Sequence, residues 1–525
     1  MDSNGPFKGR SISVVNDLSV DEQIYLYNKT RELKNAVKQR EDLTRFIIGD
    51  LNVAIYLIFL ENSTRTKESF RNAAGFHRVK LNTFDAEFSS LNKKESYSDT
   101  FKMLCGYSEY SIFIIRSRLE GVCRWLDLAM EEYGKRNQLV KPSFINAGDG
   151  KHEHPTQEFL DEYSFYEQQN WDLSHIHIAL IGDLYHGRTT HSKVDGLRIF
   201  SDVEVDLIAP EELAMPDHYL EKMRNNGFHL RIFSNVLEYI SQKKIADSWY
   251  FTRLQLERMG EDVLEKADQL REAVTFKRDL LDRIPDGTKF YHPLPRHREH
   301  PTIPFFLDET PLNGWETQAI NGYYTRIIEL GMLGGILGKD FQGRQNEPQD
   351  YSYPFIQEAN PSNKKKPAYK MGFIPVSDGI VIDHIGKGDD IDTIWDHINN
   401  IRRMLDLNAM GSHGVFRSLK DGRFKGMVAL PEVKEFDAKK LKKLAAIAPG
   451  CTLNIIRDQR VLHKYRLHTP PRIYNFKEIS CKNPDCISHP AHDENAMTVF
   501  FRSSDNTFTC QYCERPHTFR EIWNL

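Results

Sequence analysis

Short apolar runs of strand length alternate with amphipathic segments along the first two thirds of the chain. This alternation is typical of parallel β-sheets whose strands are connected by helices. Sites in such sheets form beyond the carboxyl ends of the strands, so the loops after the apolar runs are where chemistry is expected. The predicted strands are residues 53–60, 111–116, 143–146, 177–182, 203–208, 248–251 and 289–291.

A break in this pattern predicts two separate α/β domains. The run at 177–182 opens a second sheet, which places the boundary near residues 157–171. A helical run at 319–337 is expected to return and close the first domain. Residues 340–370 then contain four prolines and the lysine triplet 364–366, and they are predicted to be a linker with little core of its own.

The last third of the chain has a different order of elements. Four short strand-like runs lie between Gly379 and Ile456, with helical segments at 393–407 and 438–448. The order strand, helix, strand, strand, helix, strand predicts a ferredoxin-like α+β domain. A small cysteine-containing β-domain is expected after it.

Composition indicates a soluble protein with several domains. The 525 residues are 40% hydrophobic and 27% charged, and the net charge of -4 argues against nucleic acid as an obligate partner. No apolar run approaches the length of a membrane span, and the first residues lack a signal-peptide pattern. Seven cysteines do not form a disulfide framework in so long a chain, which fits a reducing cytoplasm.

The first candidate site is the turn Ser63-Thr64-Arg65-Thr66, where an apolar strand passes into a helix. Serine and threonine are good N-cap residues, and the free amides of a helix N-terminus carry partial positive charge. With hydroxyls and a guanidinium added, the turn can cradle a phosphate or a similar dianion. The alternative is an ordinary capped helix with an exposed arginine.

Two more loops of the first domain add groups that can act beside this turn. Arg116 ends an apolar run and would supply a second anion donor, although an arginine at a strand end is unremarkable by itself. His154 follows a glycine-rich loop and precedes Pro155, which suits the first turn of a helix, so His154 is expected near a cap facing the cleft. There it can donate to a carbonyl oxygen, and Gln157 can orient an amine or a carbonyl. A structural histidine is the alternative.

The second domain contributes two arginines and a shaped loop. Arg188 follows a Gly-Asp turn, and Arg253 and Gln255 follow the run at 248–251. Two guanidinium groups offer bidentate donors for two carboxylates, as a dicarboxylic amino acid requires. The sequence His-Pro-Leu-Pro-Arg at 292–296 predicts a rigid loop that presents its backbone carbonyls.

Four cysteines near the C-terminus have the spacing of metal ligands. Cys481 and Cys486 form one pair. After 23 intervening residues, Cys510 and Cys513 form another. Two thiolate pairs can converge on one tetrahedral Zn²⁺, which we expect to be structural and coupled to folding. The alternative is a zinc ribbon that contacts nucleic acid, although acidic residues offset its basic ones.

On these motifs the chain resembles the aspartate and ornithine carbamoyltransferases. The Ser-Thr-Arg-Thr turn, the His-Pro-Thr-Gln sequence at 154–157, Gly-Arg-Thr at 187–189 and Thr-Arg-x-Gln at 252–255 match that family. The absence of a cysteine near residues 292–296 favours aspartate over ornithine. The resemblance implies carbamoyl transfer from carbamoyl phosphate to the α-amine of L-aspartate, giving N-carbamoyl-L-aspartate and phosphate in pyrimidine biosynthesis.

The resemblance also assigns roles by position. Arg65, Thr66, Arg116 and His154 are the implied catalytic residues, the last three as donors to a tetrahedral oxyanion. The implied substrate-binding residues are Ser63, Thr64, Arg65, Thr66, Ser90, Lys94, Arg116, His154, Gln157, Arg188, Arg253, Gln255, Leu294 and Pro295.

The resemblance also implies contacts that concern assembly and domain closure. A Ser-Leu-x-Lys-Lys type of loop reaches a neighbouring subunit's site in the family, and Ser90 and Lys94 are the matching positions. A catalytic trimer follows from this, with paired trimers left open. Glu61, Arg188 and Arg258 match residues that bridge the two domains on closure.

The C-terminal third resembles the regulatory chain of aspartate carbamoyltransferase, here joined covalently to the catalytic chain. Its four-cysteine pattern is the same, which implies one structural Zn²⁺ per chain. Asp383, His384 and Lys464 align with positions that contact a nucleotide effector, and structural roles for Asp383 and His384 are the alternative. A second lysine expected near Val428 is missing.

The predicted domains follow from these resemblances. They are a carbamoyl-phosphate-binding domain at 1–157 completed by a helix at about 310–338, an aspartate-binding domain at 158–309, a linker at 339–370, a regulatory nucleotide-binding-like domain at 371–470 and a zinc-binding domain at 471–525. Two rival functions stay open, a transcarbamoylase for another amine and a non-catalytic scaffold that binds carbamoyl phosphate or a nucleotide.

Overall fold

The chain folds into two compact units. The computed structural model describes residues 5–84, 95–255, 265–361, 374, 376–407, 411–418, 421–431, 433–492, 494–504 and 506–523. The first unit comprises residues 1–347 with the short segments 485–487 and 492–496, and the second comprises 348–484, 488–491 and 497–525. Among the described helices, none has the length and apolar character needed to cross a bilayer.

A four-stranded parallel sheet forms the first α/β domain, with the order β2-β1-β3-β4. The three runs predicted from the sequence, β1, β3 and β4, are confirmed, while β2 is an edge strand that the apolar pattern does not reveal because its side chains are largely exposed. The strands are β1 Val53–Phe59, β2 Lys80–Phe84, β3 Tyr110–Ser117 and β4 Ser143–Asp149; the helices are α1 Val20–Gln39, α2 Thr64–Phe76, α3 Tyr97–Cys105 and α4 Val122–Asn137.

A five-stranded parallel sheet forms the second α/β domain, with the order β7-β6-β5-β8-β9. Its predicted strands are also confirmed, and the unpredicted β7 again lies at an edge. The strands are β5 His175–Ile181, β6 Asp202–Ile208, β7 His229–Phe233, β8 Ser248–Phe251 and β9 Lys289–Tyr291; the helices are α6 Arg188–Gly196, α7 Asp217–Asn225, α8 Val236–Ile240 and α9 Ala267–Val274.

Two buried helices join these domains. Helix α5, Pro155–Gln168, leads from the first sheet to the second, and α10, Trp315–Leu333, returns to pack against α1, α2 and α5. The predicted return helix is therefore confirmed, beginning four residues earlier than the sequence indicates. One apolar core runs from the first sheet through both helices to the second sheet.

The second unit contains a six-stranded antiparallel sheet in the order β10-β15-β14-β11-β13-β12. Four of these strands, in the order β14-β11-β13-β12, and two helices have the predicted ferredoxin-like arrangement, while β15 was not predicted. The strand β10 belongs to the segment expected to be a linker, so that expectation is wrong for these three residues. The elements are β10 Ile356–Glu358, β11 Gly379–Ile385, α11 Ile391–Met404, β12 His413–Arg417, β13 Phe424–Leu430, α12 Ala438–Ile447, β14 Thr452–Arg457 and β15 Arg460–Leu467.

A small antiparallel sheet follows, in the order β16-β17-β18-β19. It is the β-domain expected around the cysteines. Its elements are β16 Arg472–Tyr474, β17 Val499–Arg502, β18 Thr507–Cys510, β19 Pro516–Thr518 and α13 Phe519–Trp523.

Candidate active site

A cavity of about 870 Å³ lies in the first unit, and we call it the catalytic cavity. It collects loops that follow the strands of both parallel sheets, as the order of parallel strands predicts. Twelve of the predicted site residues line it together: Ser63, Thr64, Arg65, Thr66, Arg116, His154, Gln157, Arg188, Arg253, Gln255, Leu294 and Pro295. Ser90, Lys94 and Arg258 lie outside the described residues.

The turn at residues 63–66 has the strand-to-helix geometry predicted for it. Strand β1 ends at Phe59, α2 begins at Thr64, and Ser63 is the N-cap residue. The Ser63 side chain makes no capping hydrogen bond to the helix. Burial lowers the pKa of Arg65 because its guanidinium is partly removed from water. An anion in this turn would meet a helix N-terminus, hydroxyls and a charged fork at once.

His154 lies at the centre of the cavity wall. It precedes Pro155 at the start of α5, and its Nδ1 lies 3.4 Å from Thr156 Oγ1. Burial, followed by the charges of Arg116 and Arg188, holds the pKa of His154 well below its usual range. The imidazole is therefore neutral near pH 7 and can act as a hydrogen-bond donor without carrying charge.

A glycine keeps the space beside these side chains open. Gly148 has φ +109°, a backbone conformation that other residues rarely adopt. A Cβ atom there would lie 2.9 Å from an Arg116 terminal nitrogen and 3.2 Å from the His154 ring. Any larger residue would displace Arg116 or His154.

Glu61 connects the two domains across the cavity. Its Oε2 accepts from Arg116 at 3.2 Å and from Arg188 at 3.3 Å. Arg188 also donates to the carbonyl of Gly150 at 2.9 Å. Arg116 belongs to the first sheet and Arg188 begins α6 of the second domain, so one carboxylate links both.

The second domain fixes its cavity residues through Asp183. The backbone N–H of Gln255 donates to Asp183 Oδ2 at 3.1 Å, and Gln255 Nε2 donates to the His186 carbonyl at 3.0 Å. The backbone N–H of Thr252 donates to Ile181, which aligns the start of this loop with β5. Arg253 is thus presented from a loop anchored at both ends.

The loop after β9 is equally constrained. The backbone N–H of His292 donates to Gln318 Oε1 at 2.9 Å, and Leu294 N–H donates to His292 Nδ1 at 2.7 Å. Arg296 forms a bidentate ion pair with Asp308 at 2.6 and 3.0 Å. Burial and then the neighbouring arginines lower the pKa of His292 to about 3, so its imidazole stays neutral.

Behind the cavity lies a cluster of buried charges that the sequence analysis does not predict. Lys193 Nζ lies 2.5 Å from Glu158 Oε2 and 2.8 Å from Asp161 Oδ2, and all three side chains are fully buried. Burial and the adjacent Glu158 raise the pKa of Glu162 well above its usual range. A protonated Glu162 leaves Lys193 opposite two carboxylates.

Asp161 connects this cluster to the cavity. Its Oδ1 accepts from Gln157 Nε2 at 2.8 Å and from Gln318 Nε2 at 2.6 Å. A carboxylate only accepts, so the amide nitrogen of Gln157 faces Asp161 and its amide oxygen is left for the cavity. The sequence signal that could have revealed this cluster is the presence of charged residues in α5 and α6, two helices that are almost entirely buried.

Arginines dominate the lining of the catalytic cavity. Eight arginines line it, whereas Glu61 is the single carboxylate among the lining residues of the described chain. Such a cavity suits ligands that carry several negative charges. The arginines not singled out from the sequence are Arg118, Arg298 and Arg326, with Arg296 known only as part of its loop.

Comparison with known proteins identifies the same regions. The model of the aspartate/ornithine carbamoyltransferase carbamoyl-P binding domain matches residues 10–167, and that of the Asp/Orn binding domain matches 174–326. Protein PyrBI of Thermotoga maritima is 56% identical over 99% of both chains. The chain belongs to the fused aspartate carbamoyltransferase family.

Other members support this assignment. Protein PyrBI of Treponema denticola is 52% identical over 98% of both chains. The aspartate carbamoyltransferase catalytic subunit of Methanosarcina barkeri is 31% identical over 63% of this chain and 99% of its own. Aspartate transcarbamoylase from Trypanosoma cruzi, in complex with N-(phosphonacetyl)-L-aspartic acid, superimposes with a TM-score of 0.54 and 28% identity over 63% of this chain and 97% of its own.

The C-terminal third carries the regulatory part of the family. The models of the aspartate carbamoyltransferase regulatory chain match residues 372–468 for the allosteric domain and 471–523 for the metal binding domain. The chain is therefore an aspartate carbamoyltransferase whose catalytic and regulatory regions form one polypeptide.

The four predicted cysteines form one buried cluster. The sulfur atoms of Cys481, Cys486, Cys510 and Cys513 all lie within 4.8 Å of one another. Cys481 and Cys513 are 3.7 Å apart at Sγ, too far for a disulfide. Tetrahedral thiolates at about 2.3 Å from a zinc ion lie about 3.8 Å apart, so these residues fit a metal. They are the candidate metal ligands of the matched metal binding domain.

The three predicted effector residues lie on two strands, β11 and β15, which are separated in the sheet by β14. Asp383 and His384 lie near the end of β11. Burial lowers the pKa of His384, and the positive charge of Lys464 on β15 acts in the same direction. A lysine that the sequence analysis did not single out, Lys425 on β13, lies beside Asp383. Its Nζ lies 2.7 Å from Asp383 Oδ1.

Proposed function

We propose that the catalytic cavity binds carbamoyl phosphate and L-aspartate side by side and transfers the carbamoyl group to the α-amine. The observation that carries this proposal is the convergence of two groups of cations on one cavity, with Glu61 between them. The groups come from different domains, so each can hold one acidic substrate. A ligand that joins a phosphonate to aspartate, like that named for the Trypanosoma cruzi structure, should fill both parts.

In this proposal the turn at the start of α2 holds the phosphate. Ser63, Thr64 and Thr66 offer hydroxyls and backbone amides, and Arg65 offers a guanidinium fork. Ser90 and Lys94 of a neighbouring subunit complete this part of the site. Negative charge on the leaving phosphate grows during the reaction, so fixed donors here stabilise the transition state.

The carbamoyl group lies between His154, Arg116 and Gln157. We assign neutral His154 the tautomer with its proton on Nε2, in which Nδ1 faces the Thr156 hydroxyl and the Nε2–H donates a hydrogen bond to the carbamoyl oxygen. Thr66 and Arg116 donate to the same oxygen as it becomes an oxyanion. The amide oxygen of Gln157 accepts from the carbamoyl NH₂, because Asp161 occupies its amide nitrogen.

The second domain holds aspartate. Arg188 and Arg253 bind its two carboxylates, and Gln255 with the carbonyls of Leu294 and Pro295 contacts the α-amine. Arg188 already forms an ion pair with Glu61. A substrate carboxylate would therefore either share Arg188 with Glu61 or replace Glu61 as its partner. These contacts orient the amine nitrogen toward the carbamoyl carbon.

The chemical step needs no side-chain base in this arrangement. The amine nitrogen attacks the carbamoyl carbon, and a C–N bond forms while the carbonyl oxygen gains negative charge. The tetrahedral intermediate then expels phosphate, which takes the electron pair of the broken C–O bond. The departing phosphate accepts the amine proton.

Lys94 makes the proposal testable at the level of assembly. If it acts across a subunit boundary, each site combines two chains, and a catalytic trimer is the smallest closed arrangement of this kind that the family resemblance implies. Chains with Lys94→Ala and chains with Arg65→Ala should each be inactive. Mixing them after subunit exchange should restore part of the activity, because some sites then combine two intact halves.

The release of phosphate on addition of aspartate is the direct test of the function. Ornithine should not replace aspartate, because the cavity offers a second arginine where ornithine carries an ammonium group. Phosphate release with ornithine but not aspartate would contradict the proposed substrate. Lack of rescue in the mixing experiment, with exchange demonstrated by labelled chains, would contradict shared sites.

The domain boundaries and the metal complete the proposal. We infer five regions in the predicted order, which the matched family models at 10–167, 174–326, 372–468 and 471–523 support. The bound metal is one structural Zn²⁺ per chain, held by Cys481, Cys486, Cys510 and Cys513. It cross-links the loops that carry the four cysteines, so chelation should remove the metal and unfold this domain.

The regulatory region supports binding of a nucleotide effector. Lys425 and Lys464 would contact its phosphates, while Asp383 and His384 would contact other polar groups. Burial acts to raise the pKa of Asp383, but Lys425 outweighs it, so Asp383 is charged and holds Lys425 in place. Binding of a nucleoside triphosphate should be lost in the variant Lys464→Gln.

A further inference from the structure

The second unit contains another cavity, of about 570 Å³, which we call the basic cavity. Helix α12 forms one side, and residues 351–355 and 470–476 form the other. None of its lining residues belongs to the proposed effector site. Its volume lies within the range usual for sites that bind small organic molecules, roughly 300–1,000 Å³.

Uncompensated positive charge surrounds the basic cavity. Lys439, Lys442 and Lys443 are spaced i, i+3 and i+4 on α12 and therefore share one face of the helix. Arg472 approaches from β16. Within the described chain, no carboxylate pairs with any of these four groups, and the lining includes no acidic residue.

Aromatic rings line the opposite wall. The Arg472 guanidinium lies 4.4 Å from the ring centroid of Tyr351 and 5.0 Å from that of Tyr474. Tyr351 in turn stacks on Phe501 at 5.1 Å, and Phe476 also borders the cavity. Cation–π contacts of this kind hold Arg472 in one orientation and leave aromatic surface facing the cavity.

An ordinary solvated lysine face does not account for this arrangement. Leu444, Ala445 and Ile447 form the buried side of α12. Packing of the helix therefore does not require the lysines to face a cavity. The three lysines instead border a concave site, and aromatic rings line the same site. Like charges at i, i+3 and i+4 repel one another, which is a cost that an anionic ligand removes.

We propose that the basic cavity binds an organic polyanion that carries a planar aromatic ring. The anionic groups contact the three lysines of α12, and the ring packs on Tyr474 and Phe476 beside Arg472. Arginine recognises such a ligand twice, by charge and by stacking. This proposal does not depend on the residue roles assigned in the catalytic cavity.

The test uses the full-length, zinc-loaded protein and the dye pyranine, a planar aromatic trisulfonate. Its fluorescence is titrated while a phosphonate–aspartate inhibitor saturates the catalytic cavity. We expect one dye per chain, with affinity unchanged in Lys464→Gln because Lys464 does not line the basic cavity. ATP should displace the dye at lower concentration than inorganic triphosphate, and equal potency would overturn the aromatic part of the proposal.

Substitutions on one helix separate the site from general surface charge. Lys443→Gln should weaken dye binding by about threefold to tenfold, the effect of one charge-assisted contact. Lys440→Gln removes the same charge from the same helix at a residue outside the lining, and it should change the affinity by less than about twofold.

Arg472→Lys provides the second arm. It keeps the positive charge but loses the planar group that contacts both tyrosine rings, so binding should weaken although the net charge is unchanged. Thermal unfolding checks that each variant is folded. Absence of dye binding, equal weakening by Lys440→Gln and Lys443→Gln, or full affinity in Arg472→Lys together with Lys443→Gln would each overturn the proposal.

Discussion

The catalytic cavity and the basic cavity both gather positive charge around an open volume, yet they hold it differently. In the catalytic cavity the cations are arginines, and Arg116, Arg188 and Arg296 are each fixed by a carboxylate. In the basic cavity three of the four cations are lysines on one helix face, with no carboxylate partner in the described chain.

The difference corresponds to what each site has to do. Catalysis requires donors already aimed at the positions where charge develops, since reorganisation during the reaction would raise the barrier. Binding alone requires only complementary charge and shape, which flexible lysines can supply. The catalytic cavity is also supported from behind by the buried cluster of Lys193, Glu158 and Asp161, for which the basic cavity shows no equivalent among its described lining residues.

The largest expected effect comes from comparing a cation of the buried cluster with a cation of the basic cavity. Lys193→Met removes the cation opposite Glu158 and Asp161 and leaves buried carboxylates unpaired, so we expect a loss of about 3–5 kcal/mol in the free energy of unfolding. Lys443→Met removes a cation from the basic cavity. It should change the free energy of unfolding by less than about 0.5 kcal/mol. Urea unfolding measures both, and similar losses would show that the buried cluster gives no special support.

The next prediction concerns the fixed cations of the catalytic cavity. Arg65→Ala should lower kcat by about 10²–10³-fold, because it removes a charged donor to the leaving phosphate. Arg71→Ala is the matched control, since Arg71 lies on the same helix, is exposed and forms an ion pair with the exposed Glu68. Steady-state rates of phosphate release provide the measurement. Comparable losses in both variants would contradict the role of Arg65.

A smaller effect is expected from Asp161, which we regard as a positioning residue. Asp161→Asn cannot accept from both glutamines and from Lys193 as the carboxylate does, so the amide of Gln157 loses its fixed orientation. We expect kcat/KM for carbamoyl phosphate to fall by about tenfold, on the scale of one or two lost hydrogen bonds.

The control for Asp161 is Asp268→Asn, at a side chain that is 95% exposed. A purely structural role would lower thermal stability and leave the kinetics of the folded fraction unchanged. That outcome would contradict positioning.

The smallest effect is the response to salt. Raising the ionic strength from about 0.05 to 0.3 M shortens the screening length by more than half, so dye affinity in the basic cavity should fall by about fivefold. The KM for aspartate should change less, because its arginines are partly buried and their field is less screened. A stronger dependence for aspartate would reverse the distinction between the two cavities.

Most of the fold and the core of the site could be predicted from the sequence. The inner strands β1, β5 and β8 are buried on both faces, so their residues form continuous apolar runs that are visible without a structure. Edge strands β2 and β7 were missed because exposed side chains give them a polar pattern. The strand β10 was missed for a similar reason, since it pairs with one neighbour only.

The sequence by itself determined which residues are candidates for the chemistry, because motifs such as Ser63-Thr64-Arg65-Thr66 depend on local order along the chain. Only the tertiary structure decided how these groups are held. Asp161, Lys193 and Gln318 come from three different helices, and Lys425 meets Asp383 across two strands. Pairings of this kind are made by packing between distant segments, so no local pattern of residues records them.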